Sequence, residues 1–212
     1  MLKIPKALLL AIVTALIVSA ALAEEKETLA LSRATATPPD DPKIADIAKP
    51  NANHKLLGEL TGTWNYVLKI SMGPNKPAVK TDGIVVRNPI MDGRYYLADF
   101  AVEMLPGADG KLQKANFKGK SIEGYDNVKR KFVSIWIDNG STGPTTFEGT
   151  YDPASRSFTY TSETEQQPGK KTKVREVIKV TDSNHYRLDW YEEHGGREIK
   201  TIEISYTRAN TE

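Results

Sequence analysis

The 212-residue chain carries 29 Lys and Arg against 27 Asp and Glu, three His and no Cys. Without cysteine there are no disulfides, thiol nucleophiles, lipid-modified N-terminal cysteines or Cys-ligated metal centres, so stability rests on an apolar core. The near balance of charge offers no global attraction to nucleic acid, and none is expected as a partner.

At the start of the chain, Lys3 and Lys6 precede an apolar run from Ala7 to Val18, followed by the small-x-small triplet Ala21-Leu22-Ala23. This is the pattern of a secretory signal peptide. The run is also shorter than the roughly 20 apolar residues that span a bilayer. Residues 1–23 are therefore predicted to be a cleaved signal, giving a periplasmic or secreted protein with no stable membrane anchor. Loss of Lys3 and Lys6 would leave acids and bases equal in number.

Residues 24–53 hold Glu24-Glu25-Lys26-Glu27, Pro38, Pro39, Pro42 and Pro50, with few large apolar side chains. They are predicted to form a flexible tether. A short helix follows, with Asn53 as its predicted cap and Leu56, Leu57 and Leu60 facing the domain.

From Thr63 onward the sequence alternates with period two, as in Trp64, Tyr66, Leu68, Ile70 and in Ile202, Ile204, Tyr206. Ten strands are predicted at about 63–71, 78–87, 93–104, 114–124, 130–138, 145–151, 156–164, 171–181, 185–193 and 197–208. Asp126-Asn127, Asp152-Pro153, Asp182-Ser183-Asn184 and Gly195-Gly196 read as hairpin turns. Tyr125-Asp126 before Phe132 is echoed by Tyr151-Asp152 before Phe158, marking repeated hairpins. Sequential hairpins with unprotected outer edges favour closure. The predicted fold is thus an all-β, antiparallel up-and-down barrel of about ten strands over residues 54–208, with a tail at 209–212.

Gly62-Thr63-Trp64 opens the first strand and Arg208 ends the last. This arrangement resembles the calycins, the lipocalin and fatty-acid-binding superfamily, in which such a Trp packs beneath a basic residue and closes the barrel floor. The resemblance implies barrel-closing roles for Gly62, Trp64 and Arg208. Longer strings are Met91-Asp92-Gly93-Arg94-Tyr95-Tyr96, Gly124 to Val128 running on through Lys131 to Asn139, Glu148 to Pro153, and Val174-Arg175-Glu176-Val177-Ile178. They resemble the bacterial domain-of-unknown-function 1579 family of exported proteins. That likeness implies a calycin-like barrel and transfers no catalytic residue.

Strand parity is ambiguous, because both faces of 130–138 and of 185–193 carry apolar atoms. Tyr66, Arg94, Tyr96, Trp136, Glu148 and Trp190 are the candidate cavity-lining set, with Arg94 suited to a ligand carboxylate and Glu148 to a hydroxyl or amine. Each also fits a plainer role, as core filling for the aromatics or a solvated position for the charges. His185 is the better candidate for a haem ligand of the nitrobindin type, with His194 placed in a turn. The chain has no metal motif, nucleophile elbow or phosphate loop, and no cofactor is predicted. Three readings follow: a carrier of a small, largely apolar ligand, an envelope interaction module with a filled barrel, and a barrel enzyme with a buried carboxylate beside its pocket.

Overall fold

The computed structural model describes residues 42–73 and 77–210. The predicted signal peptide, most of the predicted tether and the last two tail residues lie outside the described residues. The chain divides into residues 1–46 and 47–212, and the barrel belongs wholly to the second unit.

Two short helices, α1 (Pro42–Ile47) and α2 (Ala52–Gly58), precede β1 (Gly62–Ile70), β2 (Val79–Ile90), β3 (Tyr95–Pro106), β4 (Leu112–Asp126) and β5 (Lys131–Asp138). The remaining strands are β6 (Thr145–Asp152), β7 (Ser157–Gln167), β8 (Lys170–Asp182), β9 (His185–His194) and β10 (Arg197–Arg208). Each strand pairs antiparallel with the next, and β10 returns to β1 from Trp64↔Arg208 to Ile70↔Ile202, closing the barrel. All ten predicted strands are present. β2 and β7 run three residues beyond their predicted ends.

The cap of α2 differs from expectation: Asn51, not Asn53, accepts from the Asn53 amide at 2.8 Å. His54 Nδ1 accepts from the Asn51 amide at 3.0 Å and completes a capping box. Burial holds the His54 pKa below its ordinary value, assisted by the nearby Arg94 charge, which suits the neutral ring this acceptor role requires. Residues 47–51, within the predicted tether, contact the barrel. Asn127, in the turn after β4, donates to the carbonyls of Ile47 (2.6 Å) and Lys49 (2.9 Å) and accepts from Asn51 Nδ2 (2.7 Å). Residues 47–51 are tied to the barrel by one side-chain amide.

The floor-end hairpins share one chemistry. Asp126, Asp152 and Asp182 each end a strand and accept backbone N–H groups two or three residues on. Arg130 and Arg156, with φ of 55° and 53°, turn the chain into β5 and β7. The 26-residue echo in the sequence is thus one hairpin design used twice.

Period-two alternation now acquires a direction. Trp64, Tyr66 and Leu68 point inward, as do Phe132 and Ser134 on β5, Tyr186 on β9 and Tyr206 on β10. At one end α2 and the aromatic side chains fill the interior: Leu57, Leu60, Trp64, Phe158 and Tyr160 are all at most 1% exposed. Trp64 Nε1 donates to the Leu60 carbonyl at 3.0 Å, and the indole meets Tyr186 edge-on at 4.6 Å.

Arg208 latches this floor. Its guanidinium carbon lies 4.1 Å from the Trp64 ring centroid, while its nitrogens donate to the carbonyls of Thr61 (2.7 Å), Ser183 (2.8 Å) and Glu59 (3.2 Å). Gly62 adopts φ +117°, and a Cβ there would fall 2.7 Å from Arg208 Nη1, so both conformation and space demand glycine. Replacing Arg208 by Ala removes the stacking and leaves three carbonyls without their donor. Urea unfolding should show a loss of about 2 kcal/mol or more. Arg208→Lys, lacking the planar fork, should recover only part of it.

Candidate functional site

Above the filled floor, the inward side chains leave a cavity of about 270 Å³. That is near the lower end of the roughly 300–1,000 Å³ usual for ligand pockets. Its walls are mainly apolar: Leu68, Val102, Ile202 and Ile204 supply aliphatic surface, and Phe100, Phe117, Trp136, Phe147 and Trp190 supply rings.

The two indoles are fixed by acids two residues on along the same strands. Trp136 Nε1 donates to Asp138 Oδ2 at 2.6 Å and Trp190 Nε1 to Glu192 Oε1 at 3.1 Å. Trp136 lies across Gly119, where a Cβ would come within 2.3 Å of the ring, and packs on Phe117 and Phe100. Trp190 meets Phe147 edge-on at 5.6 Å.

The polar part of the lining is a cluster of Arg87, Ser121, Glu123, Ser134 and Glu176. Arg87 and Glu123 form a two-pronged ion pair at 3.0 and 2.6 Å, with side chains 4% and 5% exposed. Ser121 Oγ adds a third donor to Glu123 at 2.8 Å. Burial by itself would lower the pKa of Arg87, but the charge and hydrogen bond of Glu123, together with Tyr186 and Tyr206, raise it overall.

Glu176 stands apart. It receives no hydrogen bond among the described residues, and burial together with the Glu123 charge pushes its pKa up to about 8, partly offset by Arg87. At neutral pH it is an uncharged carboxylic acid. Arg87 Nε and the Tyr160 hydroxyl also lack a hydrogen-bond partner among the described residues. Tyr186 and Tyr206, stacked at 4.1 Å, stand beside the cluster with hydroxyl pKa values raised by burial.

Of the predicted lining set, Tyr66, Trp136 and Trp190 face the cavity. Tyr66 lies over Gly83 and donates to the Ala101 carbonyl at 3.0 Å. Tyr96 is buried but belongs to the floor, its hydroxyl against Gly58 of α2.

Arg94 and Glu148 are outside. Arg94 sits in the β2–β3 turn beside Met91 and Asp92. Glu148 points outward because Phe147 and Gly149 take the inward positions of β6, and it pairs with Lys129 at 2.7 Å. It borders an outer groove of about 990 Å³. That groove is larger than the interior cavity, but its charges are mutually paired, as in Lys129–Glu148 and Arg175–Glu198, and open to solvent.

His185 does not face the cavity; it is exposed at the floor end and its Nδ1 lies 2.9 Å from Asp182. His194 pairs with Glu192 near the opposite rim, and His54 belongs to α2. Among the described residues no three His, Asp or Glu side chains form a group able to hold a metal ion.

Sequence reasoning missed Arg87, Glu123 and Glu176. A usable signal exists for Glu176: Val174, Ile178 and Val180 share its face of β8, so a lone acid interrupts an inward apolar stripe.

Fold and interior together define a closed ten-stranded up-and-down barrel with an aromatic cavity and a buried ionic cluster. A family model described as Protein of unknown function (DUF1579) matches residues 49–208, and the chain belongs to that family. No curated protein matches this sequence.

Glu176 gives stability a pH dependence of definite sign. Below its ordinary value of 4.5 both folded and unfolded chains hold its proton; between there and about 8 the folded chain keeps a proton that the unfolded chain releases. Its contribution therefore falls as pH rises through this window, by up to about 1.4 kcal/mol per pH unit, and levels off above. Denaturant midpoints measured from pH 5 to 9 should show Glu176→Gln gaining on the unsubstituted protein until about pH 8. Parallel curves would refute the assignment.

Proposed function

We propose that this chain is an exported binding protein that holds a small, largely apolar molecule in its barrel cavity. One observation carries the reading: an aromatic cavity contains a carboxyl that the protein leaves unpaired and uncharged. An unmet polar group in an apolar space is the usual form of a ligand anchor. The competing interaction module would need a filled barrel and one large apolar patch, whereas the exposed apolar side chains here form small groups, Val67 with Ile84 and Val86 on β1 and β2 and Ile135 with Ile137 on β5.

A second reading, acid–base catalysis on a bound molecule, draws support from the same carboxyl, because a pKa near neutrality suits both giving and taking a proton. It requires turnover that disappears in Glu176→Gln.

Binding is tested by calorimetry with phenethyl alcohol, a neutral probe of matching size. Saturable one-to-one binding is expected, and Ile204→Trp, which fills the cavity, should abolish it while a cooperative thermal transition shows the variant still folded. No heat from the unsubstituted protein would contradict the reading. Export is supported by Ala21-Leu22-Ala23, and intact mass of protein recovered from outside the cytoplasm should give a chain starting at Glu24. A chain retaining residues 1–23 would contradict it.

A further inference from the structure

We infer that the cavity's ligand is a compact amine, its ammonium held by the Glu176 carboxylate and its hydrocarbon part packed against the aromatic walls. The inference rests on the ligand-binding reading above and adds the chemistry of the ligand's polar end.

The cavity lining contains three ionisable side chains other than tyrosine: Arg87, Glu123 and Glu176. Both Nη atoms of Arg87 are engaged by Glu123, so the only cation in the lining is already matched. Glu176 is the surplus acid, without a hydrogen bond among the described residues.

A ligand carboxylate would find one open donor, Arg87 Nε, on a cation whose charge Glu123 already neutralises, and would bury a further anion beside two acids. A ligand ammonium meets an open carboxyl and, as its counter-ion, offsets the desolvation and the Glu123 charge that otherwise hold Glu176 in its protonated form. Trp190, Phe147 and Tyr206 line the same cavity, and aromatic rings favour a cation close by.

The groups that bear on Glu176 electrostatically come from several strands: Arg87 from β2, Glu123 from β4, Tyr160 from β7, Tyr186 from β9 and Tyr206 from β10. Burial keeps all three tyrosines protonated across the neutral range. In the empty cavity Arg87 and Glu123 cancel and Glu176 carries its proton. When an ammonium enters, Glu176 releases that proton to solvent, and the new ammonium–carboxylate pair again sums to zero. Binding should therefore release one proton below about pH 8.

The experiment is calorimetry of the full chain with phenethylamine and phenethyl alcohol, between pH 6 and 8, in buffers of different ionisation heat. Phenethylamine should bind at least tenfold tighter than the alcohol at pH 8, with affinity rising about tenfold per pH unit up to there and one proton released. In Glu176→Gln the ratio of amine to alcohol affinity should fall to about one and should no longer change with pH. An amine that binds no tighter than the alcohol, or with no proton release, overturns the inference and leaves the binding reading standing. Failure of both probes removes the binding reading and the inference with it.

Discussion

Ten antiparallel strands closed on themselves enclose more space than their inward side chains can fill, and every other feature of this molecule follows from that excess. An eight-stranded barrel is just wide enough to be packed solid. Here only one end is packed: α2 covers it, Trp64 and the surrounding aromatics fill it, and Arg208 ties the first strand to the last across it. The rest of the interior stays open, walled by rings that are themselves pinned through Asp138 and Glu192. Inward glycines at 83 and 119 serve this wall, because a cross-strand aromatic lies over each of them.

Into this apolar space the sequence places three ionisable residues, which is expensive. A buried ion pair such as Arg87–Glu123 tends to break even at best against well-packed apolar side chains of the same volume. Glu176 is worse placed still, since desolvation forces it to hold its proton at neutral pH. Neither arrangement is explained by stability. Polar groups maintained at such cost in a cavity fit the binding role proposed above, in which the aromatic wall would supply non-directional affinity and the carboxyl orientation.

Much of the fold was legible in the residues because period-two alternation and Asp-initiated turns are local signals. Trp64, Tyr66 and Leu68 announce an inward stripe, and Asp126, Asp152 and Asp182 end strands by capping the turns that follow. The site was less legible because parity depends on neighbouring strands. On β5, Ile135 and Ile137 are exposed while Ser134 points inward, the reverse of what hydrophobicity suggests. Once that parity is uncertain, outward charges such as Arg94 and Glu148 look as plausible as inward ones, while Arg87, Glu123 and Glu176 pass for ordinary surface charges. Only the register from Trp64↔Val85 outward shows that Arg87 belongs inside.

The barrel interior holds an apolar cavity whose unpaired carboxyl, Glu176, keeps its proton at neutral pH. Carbon-13 NMR of the Glu176 side-chain carboxyl, titrated in the ligand-free protein and assigned through Glu176→Gln, tests it most directly. The account predicts a midpoint near 8. A midpoint at the ordinary carboxylate value would mean that water reaches Glu176 freely, and the cavity as described here would not exist.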